Sequence, residues 1–395
     1  MIKGLLKRSG IYFSGLTAGR LITTLAYIFL ARHFLPNEFG QIVLYSTILN
    51  IAGALGNFGL NQILQKSDPS KLISTFQKVI CARIVSYSVS FLLIALGLLF
   101  FNPFSVFISF MLLLTLLPES LVSLLDGYYI FTKNPLPAAL SYPMRVVWIL
   151  IGLLLIPGLS FNTVAVLYCL GSLTVLLLWF PRSFWRTNVL TNWKETFAML
   201  SNSSHYALLT LTAFTYARGD SLIVRAQLNS SSLGLYSAGY RYLDSLSLIP
   251  SALNQNLFSL AASKESVSKK QLGLITLLMI FAGSVTSVVL FFAAPFLTTT
   301  LLGPAYSESL PVVRILATTL FLLFINAPLS AVVQSSGLLK KFLPWGIANT
   351  LLNLILNWIC VPIGGITAAA WVMTATEISG LCINAYFVYK MYRHD

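Results

Sequence analysis

Charged residues are scarce in this chain of 395 residues. Only 9% of them are Asp, Glu, Lys or Arg, whereas soluble proteins carry about 25%. Hydrophobic residues make up 57% of the chain, and the longest polar connection runs from Arg182 to Glu195. This composition excludes a soluble enzyme or binding module and indicates an all-α polytopic membrane protein.

The sequence also lacks the patterns of common catalytic and metal sites. Its four cysteines lie far apart in apolar runs, and no metal-ligand spacing joins them to the three histidines. No G-x-x-x-x-G-K-[ST] loop is present, which excludes an ATP-driven pump within this chain. A membrane glycosyltransferase or polymerase needs a catalytic carboxylate or base on a substantial loop, and the predicted outer loops are short. We therefore expect a transporter rather than an enzyme.

Windows of about 20 apolar residues predict twelve membrane-spanning helices. Their approximate limits are 10–31, 40–64, 79–101, 105–131, 137–157, 162–180, 203–227, 234–261, 272–301, 310–337, 342–362 and 366–389. With the N-terminus in the cytoplasm, the inside segments hold seventeen cations and the outside loops hold only Arg32. The positive-inside rule is obeyed, so both termini are predicted to be cytoplasmic. The net charge of +14 then belongs to loops beside anionic lipid, and no nucleic-acid partner is expected.

A weak internal repeat divides the predicted spans into six and six. Phe39-Gly40-Gln41-Ile42-Val43-Leu44-Tyr45-Ser46 resembles Leu233-Gly234-Leu235-Tyr236-Ser237, and each opens the second span of its half. The sequence therefore predicts two six-helix lobes, residues 1–190 and 191–395. Because six is even, both halves have the same orientation in the membrane, and the substrate site is expected between them.

Twelve charged residues fall inside the predicted spans. The seven cations are all arginines: Arg20, Arg83, Arg145, Arg218, Arg225, Arg241 and Arg314. The five acids are Glu119, Asp126, Asp220, Asp244 and Glu377. If all faced lipid at about 2.5–3.5 kcal/mol each, the cost would be on the order of 30 kcal/mol or more. Most of them must therefore face the protein interior or a watery cavity, with more positive than negative charge.

Five of these charges lie between Arg218 and Asp244, in the seventh and eighth spans. Arg218 and Arg225 are seven residues apart and share a helix face. Arg241 and Asp244 are three apart and can pair within one helix. The charges fit either a cationic cavity or self-neutralising contacts between the two helices, and the sequence leaves both readings open.

Three stretches of the chain, Ala31 to Gly40, Arg218 to Ala238 and Asn349 to Ile366, resemble the Wzx-type O-antigen and capsule flippases of the multidrug/oligosaccharidyl-lipid/polysaccharide (MOP) exporter superfamily. The opening stretch Ala31-Arg32-His33-Phe34-Leu35-Pro36-Asn37-Glu38-Phe39-Gly40 is similar to the first hairpin of that family. Arg218-x-Asp220 followed by Leu233-Gly234-x-Tyr236-Ser237-Ala238 is similar to its seventh and eighth spans. Asn349-x-x-x-Asn353 with Pro362-x-Gly364-Gly365-Ile366 is similar to its late spans. The resemblance covers nearly the whole chain and contains no sharp active-site motif.

The resemblance implies two six-helix bundles around a central cationic cavity in the bacterial inner membrane. Such proteins move an undecaprenyl-diphosphate-linked oligosaccharide from the cytoplasmic to the periplasmic leaflet by alternating access. The bilayer and the polysaccharide polymerase machinery are the further partners it implies. No cofactor is expected apart from a coupling proton or sodium ion. A multidrug or cation antiporter of the same superfamily is the alternative, although an excess of arginine in the cavity disfavours cationic substrates.

The charge argument supplies the candidate site residues. Guanidinium forks bind diphosphate oxygens in a bidentate way, and the candidate substrate-binding residues are Arg20, Arg145, Arg218, Arg241 and Arg83. Deep carboxyls are natural coupling sites for a proton or sodium ion, and the candidates are Glu119, Asp126, Asp220, Asp244 and Glu377. The alternative for Arg20 is a structural ion pair with Asp126 or Glu119, and pairing with an arginine is the alternative for the acids. For Arg83, five residues after Lys78, the alternative is that it reaches the cytoplasmic lipid headgroups.

Overall fold

The computed structural model describes residues 18–19, 21–66, 72–101, 103–131, 135–180, 193–251, 268–335 and 339–393. All regular secondary structure within these ranges is helical, in agreement with the predicted all-α class. Among the described residues, seven helices are long and apolar enough to cross a membrane, and two shorter apolar helices accompany them. Large apolar side chains cover much of the surface, as a lipid environment requires; Leu99 is 79% exposed and Phe281 71%. The total of twelve spans stays a prediction.

The first described helices are α1 (Leu21–His33), α2 (Pro36–Asn57) and α3 (Leu60–Lys66). The sequence predicts one span over 40–64, but the chain breaks between α2 and α3. Phe58 and Gly59 have φ angles of 44° and 73° there. A Cβ on Gly59 would lie 2.7 Å from the carbonyl oxygen of Ser203. Both the left-handed backbone and this close approach require glycine at position 59.

Four long helices follow. They are α4 (Leu72–Phe101), α5 (Val106–Phe131), α6 (Pro135–Leu155) and α7 (Phe161–Trp179). Pro118 lies inside α5 and Pro143 inside α6, and membrane helices tolerate such prolines where neighbours re-satisfy the backbone. Ser160 caps α7, because its hydroxyl accepts a hydrogen bond from the Thr163 N–H at 3.3 Å.

The next two helices are α8 (Trp193–Gln227) and α9 (Ser230–Leu246). Asn229 ends the short connection and caps α9, since its side chain accepts from the Ser232 N–H at 2.7 Å. The 35 residues of α8 correspond to about 52 Å of helix, which exceeds the thickness of the bilayer core. The predicted seventh span, 203–227, is the C-terminal part of this helix.

The last part of the chain contains three helices and two short helical segments. They are α10 (Lys269–Pro295), a π-helical segment (Phe296–Leu302), a 3₁₀ segment (Pro304–Ser309), α11 (Leu310–Ser335) and α12 (Leu339–Tyr392). The 54 residues of α12 would extend about 80 Å if straight. Gly365 interrupts this helix with φ 63° and ψ −150°, between the predicted spans 342–362 and 366–389. The interruption supports two spans rather than one.

The chain forms two compact units. Unit 1 is Met1–Ala26 with Gln41–Phe214, and unit 2 is Tyr27–Gly40 with Thr215–Asp395. The turn between α1 and α2 therefore belongs to unit 2, although it comes early in the sequence. The predicted lobes, 1–190 and 191–395, stay a prediction.

Unit 1 has an aromatic cluster around Tyr45, which is fully buried. Its ring lies 6.2 Å from that of Phe104, 6.1 Å from Phe161 and 5.7 Å from Tyr168. The Tyr45 hydroxyl is 3.1 Å from the Thr115 hydroxyl. Residues of α2, α5 and α7 meet at this cluster, so it fixes the packing of unit 1 near its charged residues on α5.

Within unit 2, the two glycines of the sequence repeat contact each other's helices. A Cβ on Gly40 would lie 1.8 Å from the Ser230 carbonyl oxygen, and one on Gly234 would lie 2.0 Å from that of Pro36. The N-terminal turns of α2 and α9 therefore cross with their backbones in contact. The Tyr306 hydroxyl donates to the Phe34 carbonyl at 3.0 Å and secures the same turn.

Candidate functional site

An arginine cluster forms where α8 and α9 lie side by side in unit 2. The Arg218 Nη2 donates to the Asp244 Oδ2 at 2.7 Å, and the Arg241 Nη1 lies 3.7 Å from the same oxygen. The predicted pair within α9 is present, but the shorter bond joins the two helices. Counted by themselves, Arg218, Arg241 and Asp244 carry a net charge of +1, because two guanidiniums share one carboxylate.

Aromatic rings hold both guanidiniums of this cluster. The Arg218 Cζ lies 5.2 Å from the centre of the Tyr240 ring, and the Arg241 Cζ lies 3.6 Å from that of Tyr27. Such contacts stabilise a cation by about 0.5–2 kcal/mol. The side chains remain reachable, with exposed fractions of 25% for Arg218, 15% for Arg241 and 31% for Asp244.

Asp220 lies next to this cluster but in a closed environment. It is 2% exposed and accepts hydrogen bonds from the Tyr236 hydroxyl at 2.5 Å and the Ser221 N–H at 2.6 Å. The Ser221 hydroxyl lies 3.2 Å from the same carboxylate. The bond from Tyr236 ties α8 to α9, so Asp220 positions the helices that carry Arg218 and Arg241.

Glu377 lies in the second part of α12, in a buried amide cluster without an arginine. It is 4% exposed, and among the described residues it forms no salt bridge. The Tyr216 hydroxyl donates to Oε1 at 2.7 Å, and the Asn326 Nδ2 donates to Oε2 at 3.4 Å. A carboxyl with only neutral partners is costly to ionise in a buried position unless a cation or a proton joins it.

Asparagine side chains extend this amide cluster. The Asn384 Nδ2 donates to the Asn326 Oδ1 at 2.8 Å, and the Asn353 Nδ2 donates to the Thr376 hydroxyl at 2.9 Å. The side-chain oxygens of Asn349, Asn357 and Asn384 are buried and accept no hydrogen bond from the residues that the structure describes. The four-residue spacing of Asn349, Asn353 and Asn357 was the available sequence signal for a polar helix face, but it does not reveal the link to Glu377.

Unit 1 carries a separate ion pair between α5 and α6. The Arg145 Nη1 donates to the Glu119 Oε1 at 2.8 Å, and the Ser172 hydroxyl donates to Oε2 at 2.6 Å. Both charged side chains are about one-fifth exposed, at 18% for Arg145 and 23% for Glu119. A Cβ on Gly171 would lie 2.1 Å from the Arg145 carbonyl oxygen, so α7 packs tightly against α6 at this pair.

Arg83 is buried in unit 1, with only 2% of it exposed. Its Nη1 donates to the Asn61 Oδ1 at 2.9 Å and its Nη2 to the Ser123 hydroxyl at 3.0 Å. Its Cζ lies 5.6 Å from the centre of the Tyr87 ring. The alternative that Arg83 reaches the lipid headgroups does not fit this burial, because its donors point to α3 and α5.

The structure does not describe the side chains of two candidate residues. Arg20 is outside the described residues, and for Asp126 only the helical backbone is described. Of the two arginines assigned to no role, Arg314 lies with its Cζ 5.2 Å from the centre of the Phe291 ring. The described candidates thus fall into an arginine cluster, an amide cluster and two polar contacts in unit 1.

Comparison with known proteins identifies a family and a fold for this chain. The family described as "Polysaccharide biosynthesis protein" matches residues 29–271. No curated protein matches the chain. An inward-facing multidrug resistance MATE transporter of the MOP superfamily is 12% identical, with a TM-score of 0.70 over 97% of each chain.

Two further structures share this fold. The lipid II flippase MurJ in an inward closed conformation is 13% identical, with a TM-score of 0.71 over 95% of this chain and 87% of its own. A MOP superfamily transporter from Pyrococcus furiosus is 12% identical, with a TM-score of 0.64 over 98% of this chain and 95% of its own. At such identities the likeness concerns the fold alone, and that fold extends over nearly the whole chain.

Proposed function

This chain belongs to the polysaccharide biosynthesis protein family, and on that premise we propose that it is a flippase for undecaprenyl-diphosphate-linked oligosaccharides. It moves an O-antigen or capsule repeat unit from the cytoplasmic to the periplasmic leaflet of the bacterial inner membrane, by ion-coupled alternating access. It is a transporter and forms no covalent intermediate. The partly exposed pair Arg218 and Arg241 carries this proposal.

A diphosphate fits the arginine cluster better than a cation does. The two guanidiniums offer planar donor forks that match phosphate oxygens, and Asp244 compensates only one of their charges. The 3.7 Å separation between Arg241 and Asp244 is too long for a hydrogen bond, so this guanidinium has donors for a ligand. Tyr27 and Tyr240 keep the two forks in position when Asp244 is displaced by the incoming anion.

The amide cluster around Glu377 is the proposed coupling site. A buried carboxylate with Tyr216 and Asn326 as neutral donors gains most from a bound proton or sodium ion. Oxygen ligands suit hard cations, and the Asn349 and Asn384 side-chain oxygens have no other donor. Among the candidate acids, Glu119 and Asp244 instead pair with arginine and Asp220 with Tyr236, so we assign coupling to Glu377 first.

The other arginines have supporting parts in this proposal. Arg145 remains partly exposed beside Glu119 and stays a predicted substrate-binding residue of unit 1. Arg83 is enclosed by Asn61 and Ser123, and we propose that it holds α4 to its neighbours. Arg20 and Asp126 stay predictions, as a diphosphate ligand and a coupling carboxyl.

A cation antiporter is the second candidate function. Glu377 favours it, because a buried acid without an arginine partner also suits an organic cation. The arginine cluster opposes it, since a net positive site repels such a substrate. The two functions therefore predict different substrates for the same protein.

Transport by purified protein in liposomes distinguishes them. Fluorescent undecaprenyl-diphosphate oligosaccharide is placed in one leaflet, and its movement is followed with and without imposed proton and sodium gradients. We expect translocation of this lipid, faster with one of the two gradients, which then identifies the coupling ion. Absence of lipid movement, together with efflux of an organic cation from the same vesicles, would overturn the flippase in favour of the antiporter.

A further inference from the structure

A groove runs along the surface of unit 2 between α10 and the end of α12. It encloses about 580 Å³. Its walls include Lys269, Gly273, Leu277, Ile280, Tyr389 and Arg393. None of these residues belongs to the arginine cluster or to the amide cluster, so the proposed transport sites do not account for the groove.

The groove is cationic at one end and apolar along its length. Lys269 begins α10 and Arg393 follows the last turn of α12, and both are exposed. Ile280 lies eleven residues further along α10, or about 16 Å. Because the bilayer core is about 30 Å thick, the apolar wall is as long as one leaflet. This combination matches an amphiphile with an anionic head and a chain reaching the middle of the membrane.

Among the residues that the structure describes, no acid in the groove lining neutralises the charges at this end. No lining residue is acidic, and among the described residues neither Lys269 nor Arg393 forms a salt bridge. The positive-inside rule places this end at the cytoplasmic surface, where anionic lipids give the leaflet its negative potential. Tyr389 and Tyr392 lie at the same level, as aromatic residues do at a membrane interface.

The geometry points to a binding site for one anionic glycerophospholipid of the cytoplasmic leaflet, such as phosphatidylglycerol. Its phosphate lies between Lys269 and Arg393, and an acyl chain follows Leu277 and Ile280. Basic pockets between membrane helices on the cytoplasmic side bind anionic lipid in this way. The lipid then joins α10 to the C-terminal end of α12 and holds the last helix against its neighbours.

Gly273 gives a direct way to close the groove. A Cβ built on it would have no heavy atom within 4 Å, so a larger side chain enters the groove without a steric clash. Leucine also favours the helix over glycine. Gly273→Leu should therefore fold normally and exclude the acyl chain, while leaving both cations in place.

Native mass spectrometry of the purified full-length protein, titrated with phosphatidylglycerol or phosphatidylcholine, tests this site. We expect wild type to keep one phosphatidylglycerol in preference to phosphatidylcholine. The double variant Lys269→Gln/Arg393→Gln should bind it about 30-fold more weakly, because each charge at an anionic surface is worth about fivefold. Gly273→Leu should lose the bound lipid as well.

Lys341→Gln is the matched control. Lys341 is an exposed lysine near the start of α12 and does not line the groove, so its removal should leave the bound lipid unchanged. Equal retention of the two phospholipids by wild type, or unchanged retention in both groove variants, would overturn the proposal. Displacement of phosphatidylglycerol by sub-stoichiometric undecaprenyl diphosphate would also overturn it, by assigning the groove to the transported lipid.

Discussion

Two carboxylates of unit 2 have opposite surroundings. Asp244 lies between two guanidiniums and is 31% exposed, whereas Glu377 is 4% exposed and has a tyrosine and an asparagine as its nearest donors. The first leaves surplus positive charge and suits an anion. Glu377 forms no salt bridge among the described residues, so its surroundings suit a bound cation or a proton. The proposed ion-coupled flippase uses both kinds of surroundings, and Asp244 and Glu377 lie on different helices.

The largest effect is expected when both arginines around Asp244 are removed. The double variant Arg218→Ala/Arg241→Ala should lower binding of a diphosphate lipid about 1000-fold, because each charged hydrogen bond contributes roughly 2 kcal/mol. The measurement is titration of purified protein with fluorescent undecaprenyl-diphosphate oligosaccharide.

Two variants control for this result. Arg218→Lys keeps the charge but loses the planar fork and should bind with intermediate affinity. Arg314→Ala removes a cation that contacts Phe291 and should leave binding unchanged. Wild-type affinity in the double variant would mean that the arginine cluster is structural.

The second test concerns the helix crossing that places the arginine cluster. Gly234→Ala puts a methyl group 2.0 Å from the Pro36 carbonyl oxygen, and separating two packed backbones should cost about 3 kcal/mol. A lower thermal midpoint in detergent is the expected readout. Gly273→Ala is the control, because its Cβ meets open space and should change stability slightly or raise it. Equal midpoints for the two variants would contradict the close crossing.

The third test concerns Asp220. Unlike Asp244 and Glu377, it is expected to hold two helices together rather than to belong to a substrate or coupling site. Tyr236→Phe removes the hydroxyl that donates to the buried Asp220 carboxylate at 2.5 Å, which should destabilise the protein by about 1–3 kcal/mol. Thermal unfolding measures this loss. Tyr389→Phe, at a residue 63% exposed, should have no effect. An unchanged midpoint for Tyr236→Phe would show that Asp220 does not hold α8 to α9.

The smallest expected effect is on coupling. Glu377→Gln keeps the shape of the side chain and can still accept from Tyr216, but it cannot take up a proton or balance a sodium ion. We expect the gradient-driven rate to fall about tenfold, while passive exchange of the lipid stays at the wild-type level. Glu308→Gln, at an exposed acid, is the control. A gradient response that survives in Glu377→Gln would transfer coupling to another acid.

Much of the fold could be predicted from the sequence because the bilayer imposes it. Only helices satisfy every backbone group in an apolar medium, so apolar windows locate most of the described helices within a few residues. The helices α4 and α8 are exceptions, since they begin at Leu72 and Trp193, well before the predicted spans. Local details were harder: the break at Phe58 and Gly59 depends on contact with α8, which the composition of 40–64 does not reveal. The interruption at Gly365 did coincide with the predicted boundary, since Pro362-x-Gly364-Gly365 is a local signal.

The sequence by itself determined that this is a helical membrane protein of a polysaccharide biosynthesis family, and it predicted which charges lie inside the spans. Only the tertiary structure decided how those charges pair. Asp244 bonds to Arg218 across two helices, Glu119 bonds to Arg145, and Glu377 has no arginine partner among the described residues. Spacing fixes which residues share a face of one helix. Partners on different helices depend on the tilt and rotation of each helix, which packing sets.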